Sequence, residues 1–146
     1  MKIKQISVFV ENKEGRLSEI STLLADAGIH IRALCMADTT DFGILRLIVS
    51  NPEHAQKILK DAGLTVSLTQ VIAVSIPDQV GGFARAVKIL SDAGISIEYL
   101  YPSIGRDQEH DKTAYIILRV NDNERAIAVL QANGIPLLKE TDLPHI

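Results

Sequence analysis

The sequence predicts an α+β protein made of two copies of one βαββαβ unit, and the main observation is an internal repeat. Leu24–Leu34 and Leu90–Leu100 lie sixty-six residues apart and are identical at seven of their eleven positions. Later in the chain the offset is seventy-one, as in the pair Gly63 and Gly134, which places five additional residues within Ser103–Lys112. The chain is therefore a tandem duplication.

The first half of each repeat contains a strand, a helix and a second strand, described here for the first repeat. Apolar residues alternate with polar ones at Ile6–Val10, which predicts a half-buried strand. Apolar residues over Leu17–Ala27 recur at helical spacing, and Gly28 suits the left-handed end of a helix. The alternation returns at Ile29–Ala33 and predicts the second strand.

The second half of each repeat contains a hairpin, a helix and a last strand. A polar turn at Asp38–Asp41 separates the second strand from an apolar third strand at Ile44–Val49. Asn51-Pro52-Glu53 begins the second helix, since proline is tolerated in a first helical turn, and Gly63 ends it. Leu64–Leu68 is predicted to form the last short strand.

This order of elements predicts two tandem ferredoxin-like domains. Right-handed crossovers place both helices of a repeat on one face of a four-stranded antiparallel sheet. The other face and the edges of so small a sheet need cover. Ser67–Val71 leads directly from one repeat into the next, so we expect domain 1–68 and domain 69–146 to be docked against each other.

The composition is that of a soluble globular protein and argues against several functions. The net charge is −3 and the 15 Lys and Arg residues are scattered, whereas binding to nucleic acid needs a concentrated positive surface. No apolar run is long enough to span a membrane, and the alternating N-terminus lacks the apolar core of a signal peptide. The single cysteine, Cys35, fits a reducing compartment. We expect a cytoplasmic protein with no direct contact to nucleic acid or membrane.

The turn between the first strand and the first helix has the same pattern in both repeats, at Val10–Leu17 and at Ile76–Phe83. Each turn has Asn or Asp, two other residues, Gly, one residue and then a large apolar residue. Glycine lets the backbone pass close to a guest, and the unpaired N–H groups at the start of a helix favour a carboxylate. The side chain of Asn12 or Asp78 is placed to meet an ammonium group or to fix the turn. The pattern predicts a small site for a zwitterion.

With this turn, the Asp-Ala-Gly-Ile-x-Ile helix exit and the βαββαβ order, nearly all 146 residues resemble the ACT domain family of regulatory modules. The chain is similar to stand-alone proteins made of two tandem ACT domains. Family members generally bind amino acids where two modules meet, between this turn and the second strand of the neighbouring module. Carried over by position, the resemblance implies ligand contacts in the first repeat at Asn12, Gly15, Arg16, Leu17 and His30. In the second repeat it implies contacts at Asp78, Gly81, Gly82, Phe83 and Ser96.

Two interpretations of the turn remain open. Asn12 and Asp78 are also suited to capping the helix that follows, because Asn and Asp are favoured N-caps. Many ACT turns have proline just before the glycine, where this chain has Glu14 and Val80. In the first repeat, the negative charge of Glu14 lies beside the expected ligand carboxylate and opposes it. In the second repeat, the Gly81-Gly82 pair suits close approach of a ligand. The second repeat is therefore expected to be the better site.

The sequence predicts no catalytic, metal or cofactor site. The four histidines, His30, His54, His110 and His145, are far apart in the sequence. The chain also has no Cys-x-x-Cys pair that could bind a metal. As a lone histidine, His30 suits a surface or interface position as well as a ligand contact. Asp107, Glu109 and Asp111 alternate along a loop, where carboxylates lack the burial that tunes a general acid. The glycine pair Gly81-Gly82 fits neither the P-loop nor the dinucleotide-binding spacing.

These observations predict a non-catalytic regulatory protein that binds a free amino acid between modules. Such a ligand stabilises one arrangement of the modules only by its differential affinity. We expect a homodimer with four modules, and a signal passed to a partner, such as an enzyme or a transcription factor, or through self-association. Two alternatives are a small enzyme on a ferredoxin-like sheet and an interaction module without a ligand.

Overall fold

The computed structural model describes residues 1–38, 41–103 and 113–144, and the α+β antiparallel fold predicted from the sequence is confirmed there. The strands are β1 Ile3–Glu11, β2 Ile31–Asp38, β3 Phe42–Val49, β4 Thr65–Pro77, β5 Ile97–Pro102 and β6 Thr113–Val120. The helices are α1 Arg16–Asp26, α2 Pro52–Asp61, α3 Gly82–Asp92 and α4 Asn123–Ala132, followed by a short 3-10 helix, Glu140–Asp142. Among these described residues, no helix combines the length and the apolar character that crossing a bilayer requires.

One long strand, β4, belongs to both repeats. The sheet order is β2-β3-β1-β4-β6-β5. The first part of β4, residues 65–71, pairs with β1, and the second part, residues 72–77, pairs with β6. The last strand predicted for the first repeat and the first strand of the second are thus one continuous strand. The expected domain boundary between residues 68 and 69 falls inside this strand. It separates the two copies of the sequence repeat.

The last strand of the second repeat is reduced to a single bridge between Val74 and Leu137. Two backbone hydrogen bonds hold it: Ser75 N–H donates to the Pro136 carbonyl at 3.0 Å, and Leu138 N–H donates to the Ala73 carbonyl at 2.9 Å. Pro136 has no N–H to continue a ladder. The segment nevertheless lies on the same edge of β4 as β1. The pairing of β1 with β4 reaches Val71, where Ile3 lies opposite it, and the bridge at Val74 comes three residues further along β4.

Sequence predictions at the helix ends are confirmed by the backbone. The side chain of Asn51 accepts a hydrogen bond from the N–H of His54 at 3.2 Å and caps α2, with Pro52 in the first turn. Gly28 and Gly63 follow α1 and α2 with positive φ. These features fix the length of each helix, and so they fix where the turns between elements lie.

Two of the three apolar cores lie between a helix pair and its half of the sheet. The core of the first repeat contains Ile6, Val8, Ile20 and Leu59 among its buried residues, and that of the second repeat contains corresponding residues of β4, β6, α3 and α4. Strand residues alternate between the two faces of a sheet. Even-numbered residues of β1 therefore face α1 and α2, and odd-numbered ones face away.

The third core joins the two repeats through the sheet faces that carry no helices. Ile3 and Ile48 of the first repeat pack in one buried cluster with Tyr101 and Ile117 of the second. Ala73 of the shared strand lies in the same cluster. The two half-sheets thus cover each other's bare face, with the helices outside.

A polar group lies inside this third core and is satisfied by both repeats. The side chain of Gln5 is fully buried, its Nε2 donates to the Tyr99 hydroxyl at 2.7 Å, and its Oε1 accepts from the Tyr101 hydroxyl at 2.6 Å. The guanidinium of Arg46 stacks on the Tyr99 ring, 3.8 Å from its centroid. Cys35 packs at the edge of the cluster as a partly buried side chain. Hydrogen bonds of fixed direction select one alignment of the half-sheets.

The segment after the bridge, residues 139–144, ties the second repeat to β2. The side chain of Leu143 is buried in the third core with 1% of its surface exposed. Arg32, a buried residue of β2, donates from Nη1 to the Leu143 carbonyl and pairs through Nε with the carboxylate of Glu140. This charge-assisted contact anchors the segment against the first repeat.

Removing the Leu143 side chain should lower the free energy of unfolding markedly. We expect Leu143→Ala to destabilise the protein by about 2–5 kcal/mol, because it leaves a cavity in the core shared by both repeats. Val80→Ala is the control, since Val80 is fully exposed, and it should change stability by no more than about 0.5 kcal/mol. Urea unfolding of both variants tests this, and equal effects would show that the segment is not anchored in the core.

Stability should fall at alkaline pH because of Tyr101. Burial, and next the neighbouring Tyr99, raise the pKa of Tyr101. The folded protein therefore favours the neutral phenol, and its contribution to stability is present below the unfolded pKa of about 10 and is lost as the pH rises above it. Denaturant unfolding at about pH 8 and about pH 11 should show a larger loss for the wild type than for Tyr101→Phe. An equal loss of unfolding free energy in the wild type and in Tyr101→Phe would contradict the role assigned to Tyr101.

Candidate functional site

The β1–α1 turn of the first repeat leaves backbone N–H groups unpaired by the helix. Gly15 is the N-cap of α1 with φ +84°, and the first i to i−4 bond is donated by Glu19 N–H to the Gly15 carbonyl at 3.0 Å. The N–H groups of Leu17 and Ser18 precede that bond and are the orphan donors of this helix start. Asn12 makes no side-chain cap there, so the interpretation of Asn12 as a helix cap is wrong.

Charged side chains surround this turn. Lys13 Nζ lies 2.9 Å from Glu11 Oε2, and Arg16 Nη1 lies 3.2 Å from Glu19 Oε2. Arg16 Nη2 approaches Glu11 more loosely, at 3.8 Å. The hydrogen bond from Lys13, and then its charge, lower the pKa of Glu11. The turn therefore presents a carboxylate and two cations side by side.

An open groove of about 240 Å³ runs beside the turn, and we call it the first-repeat groove. Its lining includes both polar and apolar side chains. The lining residues are Val10, Glu11, Asn12, Lys13, Arg16, Leu17, Met36 and Gly43. Of the predicted contacts, Asn12, Arg16 and Leu17 meet here, with Gly15 inside the same turn. Met36 and Gly43 were not predicted, because their positions at the ends of β2 and β3 depend on strand pairing.

The second repeat has the same turn geometry. Gly81 is the N-cap of α3 with φ +88°, and Arg85 N–H donates to its carbonyl at 3.0 Å. The N–H groups of Phe83 and Ala84 precede that bond. Asp78 makes no side-chain cap, so the capping interpretation is wrong here too.

Gly82 has an internal reason to be glycine. A Cβ added at Gly82 would lie 2.4 Å from the Pro77 carbonyl oxygen, closer than any real contact. The residue is buried against its own turn. The Gly81-Gly82 pair is thus explained by the chain's own backbone, which removes the reason for preferring the second repeat as the better site.

The surroundings of the second turn are also different. Pro77, Gln79 and Gly82 stand where the first repeat has Glu11, Lys13 and Arg16, so the carboxylate and both cations are missing. Phe83 lines a small apolar cavity together with residues of α3 and the sheet, such as Ile76 and Ile97. The two turns have the same backbone conformation but different side chains around them.

The family model described as an ACT domain pair matches residues 1–146. This chain belongs to the ACT domain pair family. The resemblance seen in the sequence is therefore confirmed.

Solved structures agree with this ACT pair fold. Protein BT0572 from Bacteroides thetaiotaomicron is 39% identical, with a TM-score of 0.90 over 97% of this chain and 95% of that chain. The ligand-free regulatory subunit of aspartate kinase from Thermus thermophilus is 20% identical, with a TM-score of 0.67 over 90% of each chain. The corresponding subunit from Thermus flavus is 19% identical, with a TM-score of 0.64 over 88% of each chain. The two aspartate kinase subunits show the fold alone. A search of curated proteins gave no significant match.

His30 and Ser96 of the ACT pair are not close to the turn of their own repeat. His30 lies just before β2 and lines a groove at the C-terminal end of α1, whereas the first-repeat groove lies at the N-terminal end. A helix of 11 residues spans about 16 Å. Ser96 occupies the equivalent place before β5 and exchanges backbone and side-chain hydrogen bonds with Asn121. His30 and Ser96 therefore lie at the opposite end of the helix from the turn of their own repeat.

Within residues 1–38, 41–103 and 113–144, no three His, Cys, Asp or Glu residues come together as a metal site. Five residues considered above for catalysis or metal binding lie outside the described residues: Asp107, Glu109, His110, Asp111 and His145. The loop segment Arg106–Lys112 as a whole lies outside them as well.

Alanine substitutions at Gly15, Gly81 and Gly82 should distinguish the cost of a left-handed backbone from the cost of a steric clash. Gly15→Ala and Gly81→Ala should each lower the free energy of unfolding by about 1–2 kcal/mol, because φ is left-handed while the added Cβ meets no atom within 4 Å. Gly82→Ala should lower it further, since its Cβ meets the Pro77 backbone. Urea denaturation compares the three variants. A Gly82→Ala protein as stable as the wild type would refute the packing explanation.

Proposed function

We propose that this ACT domain pair is a cytoplasmic regulatory protein that binds a free amino acid in the first-repeat groove. The observation that carries the proposal is the combination of orphan amides, opposite charges and an apolar wall around one opening. The volume of about 240 Å³ lies just below the range of about 300–1,000 Å³ that is typical of drug-sized ligands. A small zwitterion suits it.

The carboxylate of the ligand is assigned to the start of α1. The N–H groups of Leu17 and Ser18 and the positive end of the helix dipole favour an anion at this place. Arg16 lies beside them, and its guanidinium pairs with Glu19 at 3.2 Å and more loosely with Glu11 at 3.8 Å. Glu14 is exposed and does not line the groove. Its negative charge is therefore not a reason against a carboxylate at this place.

The ammonium group of the ligand is assigned to Glu11 and Asn12. Glu11 is ionised at neutral pH, since Lys13 lowers its pKa. A zwitterion would enter the existing network by placing its ammonium beside Glu11 and its carboxylate beside Arg16. A neutral amine or a simple carboxylic acid satisfies only half of this network and should bind more weakly.

A second copy of the chain is proposed to complete the site. His30 is too far from the turn of its own repeat to reach the same ligand, so the strand side of the site must come from a neighbouring module. A homodimer would supply it. The ligand would then shift the balance between two arrangements only as far as it binds one more tightly. The output is proposed to pass to a partner, such as an enzyme or a transcription factor.

Catalysis is the rival from another functional class. It calls for a buried His or carboxylate with a partner inside a pocket. Among the residues whose side chains the structure describes, no His, Asp or Glu is buried, and the buried residues with polar side-chain groups are Gln5, Ser7, Arg32 and Tyr101. Gln5, Tyr101 and Arg32 hold the two repeats together. The groove beside the turn favours binding over turnover.

The proposal predicts a thermal shift with at least one of the twenty amino acids. At a hundred times its dissociation constant, a ligand should stabilise the protein by about 2.7 kcal/mol. For a chain of this size the melting temperature should rise by roughly 5–10 °C. Absence of a shift with all twenty would contradict amino-acid binding and leave the interaction module as the better explanation.

Matched glycine variants identify the repeat that binds. Gly15→Ala and Gly81→Ala carry the same strain, so differences in affinity report on the site and not on the fold. Calorimetry should show at least tenfold weaker binding for Gly15→Ala and unchanged binding for Gly81→Ala. The opposite result would place the ligand in the second repeat. Light scattering with and without ligand measures whether the homodimer forms.

A further inference from the structure

We infer that Met36 and Gly43 select a large apolar amino acid in the first-repeat groove, an inference that rests on the function proposed above. The polar residues that line the groove all lie on the turn. Its apolar lining, called the apolar wall below, consists of Val10 and Leu17 at the two ends of the turn and of Met36 and Gly43 from β2 and β3. A ligand with its charged groups at the turn must direct its side chain along that wall.

The apolar wall contains no side chain that could pair with a polar ligand group. Leu17 is aliphatic and Met36 ends in a thioether, which is only a weak acceptor. A charged or hydrogen-bonding ligand side chain would lose hydration there without compensation. An apolar side chain loses nothing and removes apolar surface from water.

Two residues of the wall have apolar surface that a ligand could cover. Leu17 has 49% of its surface exposed and Met36 has 41%. Each methylene that a ligand buries against them should strengthen binding by about fourfold. Affinity should therefore increase along a series from alanine to valine to leucine or methionine.

Gly43 sets the depth of the groove. It lies opposite Val10 in the β1–β3 pairing, and a Cβ added at Gly43 would lie 3.1 Å from the Met36 sulfur. Because Gly43 has no side chain, the Met36 sulfur packs close over its backbone, and methionine adapts its shape to different apolar neighbours. The second repeat has Pro102 and Ala114 at the equivalent positions, so this adjustable wall is particular to the first repeat.

The test is a calorimetric series of glycine, alanine, valine, leucine, methionine, serine, aspartate and lysine against the wild-type protein and three variants. Wild type should bind leucine or methionine tens of times more tightly than alanine, and should bind aspartate and lysine most weakly. Gly43→Ala pushes Met36 into the groove, so it should weaken leucine binding at least tenfold and alanine binding less than threefold. Met36→Ala should reduce the difference between leucine and alanine.

Leu100→Ala is the matched control, because Leu100 is an apolar residue of similar exposure on β5, away from the groove. It should leave the whole series unchanged. Preference for a charged or hydroxylated amino acid, or equal losses for alanine and leucine in Gly43→Ala, would overturn this inference while amino-acid binding stands. A wild-type protein that binds none of the twenty amino acids would overturn both proposals.

Discussion

The bare faces of the two half-sheets are the constraint on which the rest of the structure depends. A βαββαβ unit places both helices on one face, so the opposite face must be covered by something else. In this chain each half-sheet covers the other, through Ile3 and Ile48 on one side and Tyr101 and Ile117 on the other. The helices and the two strand-to-helix turns, β1–α1 and β4–α3, consequently face outward. A groove beside such a turn is open to a ligand from solvent because the repeats meet at their other faces.

The polar groups in the third core restrict how the half-sheets meet. Apolar contacts alone tolerate sliding, whereas the amide of Gln5 must reach the hydroxyls of Tyr99 and Tyr101 at the same time. Displacement would leave buried donors and acceptors unpaired, at about 1–3 kcal/mol each. The contact of Arg32 with Glu140 and the Leu143 carbonyl acts in the same direction from the edge of the sheet. The repeats therefore form one unit of defined internal geometry.

The elements of each repeat could be predicted from local patterns, while their joining could not. Alternation at Ile6–Val10 and the glycine after α1 gave the strand and the helix end, because these depend on neighbouring residues only. Nothing local indicates that β4 runs through the repeat boundary or that Pro136 limits the last strand to one bridge. In the candidate site, the turn was found from its own residues. Met36 and Gly43 were missed, since only strand pairing brings them to Leu17, and Gly82 was explained only by its distance to the Pro77 carbonyl.

The continuous strand β4 has a consequence for how such a protein can be taken apart. Neither half can be removed without cutting through a hydrogen-bonded strand, and a fragment ending at residue 68 would stop in mid-strand with the apolar face around Ile48 in water. Fragments of this kind should associate or aggregate instead of persisting alone.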